Sequence, residues 1–128
     1  MNAVGEGRTP PPDAVARYRM ESRGDAMIFH CAGAFVLPNF QRLDELIRDV
    51  KAIASGRIVL NLTHVDRIDS VGIGTLSMIL KHVMVTGVDL RVVPNEYVKM
   101  MLGTSGLDRV FQFERDVDAA LQDRAPRS

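Results

Sequence analysis

The spacing of apolar and polar positions changes period several times along this chain, and each change marks an element. Ala26 to Ala32, with Met27, Ile28 and Phe29, is a short apolar run of strand type, and so are Ile58, Val59, Leu60 and Leu62. Phe40, Leu43, Leu46, Ile47, Val50 and Ile53 recur instead at helical spacing, with Pro38 in a first-turn position and Ser55-Gly56 ending the helix. Leu76, Ile79, Leu80 and Val83 mark a second helix, opened by the capping pair Asp69-Ser70 and closed near Thr86-Gly87. Val88 to Val93 reads as a strand that Pro94 closes. Asn95 then starts a short helix with Val98, Met101 and Leu102, ended by Gly103. Leu107 to Phe113 predicts a last strand, and Glu114 to Gln122 a final helix with Val117, Ala120 and Leu121 inward. Ahead of all these, Ala14 to Ser22 predicts a first strand, joined to the next by the turn signal Arg23-Gly24-Asp25.

The order is a β-hairpin followed by alternating helices and strands. Alternation implies right-handed crossovers, so the expected fold is α/β: a mixed, mostly parallel sheet packed with α-helices, carrying an N-terminal hairpin. Residues 1–13, with Gly5, Gly7 and Pro10-Pro11-Pro12, are expected to be a flexible lead-in, residues 14–122 one domain, and residues 123–128 a polar tail.

Composition narrows the function classes. In 128 residues, one domain fits, and 46% apolar with 25% charged residues is ordinary for a globular chain. Formal net charge is zero, so no electrostatic footprint points to nucleic acid or an anionic membrane surface. Cys31 is the only cysteine, which excludes an internal disulfide or a thiolate metal cluster, and its apolar surroundings predict a buried, inert thiol. No apolar run approaches the about 20 residues of a membrane span, and no signal-peptide core is present, so the expected location is cytoplasmic. That context also makes Arg23-Gly24-Asp25 a turn rather than an adhesion motif.

One stretch stands apart. Arg57 to Gly74 reads as a buried strand, a short polar loop, then a serine opening a helix, and such strand-to-helix corners are where α/β folds place ligands and reactive groups. Gly72 and Gly74 remove side chains beside Ser70, as if another backbone were to approach, and Ile73 is expected to project as an apolar contact. Ser70 itself has three readings. It can cap the helix, a role worth about 1 kcal/mol. It can be a hydrolase nucleophile, but the turn is Asp-Ser-Val-Gly rather than Gly-x-Ser-x-Gly, and His30, His64 and His82 lack the placement of a triad base. It can accept a phosphoryl group, bringing about −1.5 to −2 charges beside Asp69. From residue types alone the cap and the phosphorylation site stand level.

The remaining features are bland. Gly72-Ile73-Gly74 lacks the third glycine and the Lys-Ser or Lys-Thr of a phosphate loop. The histidines show no metal-ligand spacing, and no cofactor motif is present. Asp66, Arg67, Asp69, Asp108, Arg109, Glu114, Arg115 and Asp116 alternate in sign, and most read as solvated faces. Adjacent Met100 and Met101 cannot both face inward, so one is expected on a contact surface.

Three blocks resemble the STAS domain, shared by sulfate transporters and anti-sigma factor antagonists. They are Ile58 to Val65 followed by Ile68-Asp69-Ser70-Val71-Gly72-Ile73-Gly74, then Gly87 to Val93, then Leu102 with Ser105-Gly106-Leu107 and Val110-Phe111. The resemblance implies a STAS fold and a non-enzymatic anti-anti-sigma factor. Unphosphorylated, such a protein binds an anti-sigma factor that is itself a serine kinase of the histidine-kinase-like ATPase fold. Phosphorylation of the serine after the aspartate, here Ser70, ends binding, and a serine phosphatase restores it. The kinase would hold the ATP, so no cofactor is implied for this chain. Asp69, Val71, Gly72, Ile73 and Gly74 would form the contact platform, with Gly33 and Phe35 on a neighbouring loop formed by residues 33–37. The sequence departs from the family pattern at Ala34-Phe35-Val36-Leu37, where acidic residues are usual, and at Val71, which leaves Ser70 the only hydroxyl at the corner. The alternative is a structural STAS subunit of a transporter or stress-signalling assembly in which Ser70 is never modified.

Overall fold

The computed structural model describes residues 15–122; the expected lead-in at 1–13 and tail at 123–128 lie outside the described residues. Four strands, β1 (Arg17–Arg23), β2 (Ala26–Phe35), β3 (Arg57–Ile68) and β4 (Asp89–Val93), form one sheet in that order. β1 and β2 are antiparallel, while β2–β3 and β3–β4 are parallel, which is the mixed, mostly parallel sheet expected. The hairpin turns on Gly24 and Asp25 between paired Arg23 and Ala26, with Gly24 at φ 61. Glycine at the first central position suits a two-residue turn matched to strand twist.

Helices α1 (Phe40–Lys51) and α2 (Ser70–Thr86) cover one face of the sheet. The predicted stripe of α1 is buried at Leu43, Leu46, Ile47 and Val50, and that of α2 at Leu76, Ile79 and Val83. Together with Phe29, Ile58, Leu60 and Leu62 they make the main core. α3 (Glu96–Thr104) packs against the far end of β3, and α4 (Val117–Leu121) closes a small second core of Ile28, Val59, Val93 and Ala120 on the opposite face.

Five boundaries differ from the sequence reading, each for a physical reason. The polar loop expected after Leu62 is strand: β3 runs on to Ile68, paired with β2 through two register shifts between His30 and Ala32 and between Gly33 and Ala34. Each shift sets an extra residue into β3, so its buried positions Leu62, Val65 and Ile68 fall three apart, and a period of two misses them. β2 likewise continues to Phe35, where a loop from Gly33 was expected. α1 ends at Lys51 with Ala52 as its cap, and Ser55-Gly56 belong to the turn into β3. Gly103 lies inside α3, and the reversal comes at Gly106, whose φ is 79. The strand expected at Leu107 to Phe113 is a single 3-10 turn, Leu107–Arg109, followed by one parallel bridge between Phe113 and Val92. The hydrogen-bonding capacity of Leu107 explains the loss, because its carbonyl accepts from both Val110 and Phe111 instead of a strand partner.

One of the charges assigned to a solvated face is in the core. Glu114 is 5% exposed and pairs at 3.2 Å with Arg91, itself 7% exposed. Arg91 also grips Asp89, which takes Arg57 as well. Arg57 donates onward to the carbonyls of Ala120 and Gln122, so this network ties α4 to the sheet. Burial would push the Asp89 carboxyl up, but the two guanidinium groups outweigh it and hold that carboxyl below its ordinary range.

Asn95 holds the bulged half of β3 in place. Its Oδ1 caps α3 by accepting from the Val98 amide at 2.7 Å, while its Nδ2 donates to the carbonyls of Thr63 and Val65 at 3.0 and 2.8 Å. Asn95→Ala should lower unfolding free energy by about 2 kcal/mol through loss of cap and carbonyl partners together. Asn95→Asp keeps the cap but sets a carboxylate against those carbonyls, and urea denaturation should find it destabilised as well. Wild-type stability in Asn95→Asp would show that the carbonyl contacts contribute nothing.

Candidate functional site

The corner between β3 and α2 is built around Asp69. Its backbone is extended (φ −109, ψ −167), so its carboxylate folds over the first turn of α2. Oδ1 accepts from the amides of Val71 at 2.9 Å and Gly72 at 3.1 Å. Oδ2 accepts from the amide of Leu37 at 2.9 Å, across the gap to the segment after β2. The Asp69 amide returns the contact by donating to the Phe35 carbonyl at 3.2 Å. Asp69, then, is the cap, and Ser70 is the first residue of the helix: the capping reading of Ser70 is corrected in favour of its neighbour. Desolvation would raise the Asp69 pKa, but the Leu37, Gly72 and Val71 amides more than compensate and hold its carboxyl below the ordinary range.

Ser70 is exposed, and its hydroxyl makes no hydrogen bond among the described residues. No histidine among them reaches it. His30 bonds Glu21 and Asn61, His82 bonds the Ile53 carbonyl at 2.9 Å, and His64 is an exposed residue of β3 rather than of a loop. A hydrolytic triad therefore has no base at this corner.

The two glycines have different jobs. A Cβ on Gly72 would lie 2.2 Å from the Phe35 carbonyl oxygen and 2.9 Å from Ile68 Cγ2. The backbone that approaches Gly72 is thus the chain's own, which corrects the expectation of a partner there. A Cβ on Gly74 would meet nothing within 4 Å, and Gly74 is exposed. Ile73 is half-buried against the core, and so is Val71. Gly33 and Phe35, expected on a flanking contact loop, are buried within β2, Phe35 at 1% exposure, so neither residue is presented to a partner.

Leu37, noted in the sequence only as part of an apolar departure from the family pattern, and Phe40, expected on the apolar face of α1 but exposed, take their place. Leu37 is 59% exposed and Phe40 54%, and Phe40 shares with Val71, Gly74 and Met78 an apolar groove of about 390 Å³ between α1 and α2. Phe40 is in phase with the α1 stripe but precedes its first covered turn. Leu37, beside Pro38, carried no periodic signal. Thus an accessible hydroxyl stands at the head of a helix, flanked by a capped carboxylate and an exposed apolar rim. The corner thus presents a free hydroxyl and an apolar rim, and among the described residues no histidine bonds that hydroxyl. Among the described residues no cluster of three potential metal ligands occurs, and no helix is long and apolar enough to cross a membrane.

The STAS domain profile matches residues 17–120, and the chain belongs to that family. Three proteins of known structure share its fold. An anti-sigma factor antagonist from Mycobacterium paratuberculosis superposes with a TM-score of 0.75 at 21% identity, over 88% of this chain and 96% of that one. A Thermotoga maritima protein described as a candidate anti-sigma factor antagonist gives 0.72 at 25% identity, over 81% and 91%. The Bacillus cell fate determinant SpoIIAA in its phosphorylated form gives 0.60 at 14% identity, over 80% and 96%. No curated protein sequence matches the chain.

Two measurements check this geometry. Gly72→Ala should destabilise the fold by about 1–3 kcal/mol because overpacking exceeds the gain in helix propensity, whereas Gly74→Ala should be neutral or stabilising by up to about 1 kcal/mol. Equal effects in thermal melts would contradict the contact with Phe35. Asp69→Ala should cost about 1–3 kcal/mol at pH 7. Since the folded carboxyl sits below its unfolded value of about 4, this contribution is full above that pH and fades as pH falls through the folded value. The stability gap between wild type and Asp69→Ala should therefore narrow progressively as pH falls below about 4, and a gap constant with pH would refute the assignment.

Proposed function

We propose that this chain is an anti-sigma factor antagonist that binds an anti-sigma factor serine kinase while Ser70 is unmodified and is released when Ser70 is phosphorylated. The observation that carries the reading is the exposed, unbonded hydroxyl of Ser70 beside a carboxylate that already occupies the first-turn amides. A helix N-terminus ordinarily welcomes a phosphate through its free amides and dipole. Here Asp69 has taken the amides of Val71 and Gly72, and the Ile73 amide bonds the Asp69 carbonyl. A phosphate on Ser70 would add its charge to that of Asp69 with little local compensation. Burying the pair against a partner would cost several kcal/mol.

In this reading Val71, Ile73, Gly74, Leu37 and Phe40 form the contact rim, and Asp69 fixes their arrangement. Gly72, Gly33 and Phe35 act from within, setting the spacing of β2 against α2. The partner is a kinase of the histidine-kinase-like ATPase fold that supplies its own ATP, with a serine phosphatase to reverse the modification, all within the cytoplasm. Membership of the STAS family and the antagonist neighbours support it.

Incubation with candidate kinases from the same genome and ATP, followed by mass-spectrometric mapping, should place one phosphate on Ser70 and none on Ser70→Ala. Ser70→Asp should bind the kinase about 5- to 150-fold more weakly than Ser70→Ala. Equal affinities, or recovery of a transporter ATPase instead of a kinase, would defeat the proposal.

A further inference from the structure

On the sheet face opposite α1 and α2, α4 covers only the end around Ile28, Val59 and Val93. Beyond it lies a recess of about 550 Å³ lined by strand residues alone, within the range of small-molecule sites. Its floor is Ala32, paired with Arg17 on one side and His64 on the other. Arg19 lies opposite His30 two register pairs along and so on the same face, and the small side chain of Ala32 leaves a gap bordered by Arg17, Arg19, His30 and His64. Two guanidinium groups, Arg17 and Arg19, bring fixed positive charge to its rim.

The recess is also ordered beneath. Asn61 Oδ1 accepts from the Thr63 amide at 3.2 Å and from Thr63 Oγ1 at 2.8 Å, which turns its Nδ2 toward His30 Nδ1 at 2.9 Å. His30 Nδ1 must then accept, and His30 Nε2 donates to Glu21 Oε1 at 2.8 Å. Glu21, the carboxylate in this chain of contacts, is shared: its Oε1 takes the imidazole, its Oε2 accepts from Arg23 at 3.3 Å, and its charge also acts on Arg19 at the rim. The Arg19 guanidinium and the His64 ring make no hydrogen bond among the described residues, and the second Nδ2 hydrogen of Asn61 is not used. Donors face a gap, and their natural complement is an oxyanion.

We propose that this recess binds a small molecule through a phosphate or carboxylate group, gripped by Arg19 and His64 over Ala32, with Asn61 as the fixed donor at its edge. The planar guanidinium fork suits either oxyanion. The site is separate from Ser70, on the other side of the sheet, and does not depend on that residue's modification.

The test is a two-dimensional NMR titration of the nitrogen-15-labelled chain with inorganic phosphate, adenosine monophosphate and succinate at constant ionic strength. At least one probe should move the amides of Arg19, Ala32 and His64 saturably, with a Kd of about 1 mM or tighter. Arg19→Ala should weaken binding about tenfold or more. Ala32→Leu should block it without altering charge, and Ser70→Ala should leave it unchanged. Response to phosphate and the nucleotide alone assigns a phosphate site, and response to succinate alone a carboxylate site. Silence from all three probes, shifts centred elsewhere, or insensitivity to Arg19→Ala overturns the proposal. Should Ala32→Leu fail to fold, Arg19→Ala decides.

Discussion

The carboxylate of Asp69 joins the first turn of α2 to the segment after β2, alongside the Phe35–Ile68 pairing and the Asp69 amide's bond to the Phe35 carbonyl. One oxygen closes the first turn of α2 and the other reaches the Leu37 amide after β2. Gly72 completes the joint by letting α2 sit against the Phe35 carbonyl, closer than any side chain would allow. From this pairing follow the direction of α2, the outward placement of Ser70 and the exposure of Leu37 and Phe40. A capping residue usually serves its own helix; here the same group sets the spacing of a surface.

The charge economy of the corner has a consequence for regulation. An uncapped helix terminus accommodates phosphate, and modification there would order the site. With Asp69 engaged, the Val71 and Gly72 amides are taken before any phosphate arrives. Under the proposed switch, the same contacts that stabilise the unmodified form would make a modified form hostile to a close-fitting partner. Charge elsewhere is managed differently: Arg91 and Glu114 are buried as a pair within a network that also satisfies Asp89.

The sequence was legible where periodicity was undisturbed. The limits of α2 and the buried stripes of α1 followed from spacing, and the Gly24-Asp25 turn from its chemistry. It was illegible where backbone geometry resets the period. The two register shifts of β3 put Leu62, Val65 and Ile68 three apart, so half a strand resembled a loop. The same shifts carry β2 on to Phe35 and bury a residue that looked like a surface anchor. Asp69 and Ser70 are both good capping residues, and only the extended backbone of Asp69 decides between them. The burial of Glu114 depends on Arg91, 23 residues earlier, which no local pattern reveals.

The central claim is that negative charge at Ser70 converts an attractive surface into a repellent one. Its most direct measurement is calorimetric binding of the anti-sigma kinase to this chain carrying phosphoserine at position 70, beside the unmodified chain. The account predicts tight binding without the phosphate and affinity lower by about 100-fold or more with it. Equal affinity for the two forms, in a chain whose fold is unchanged, would contradict it.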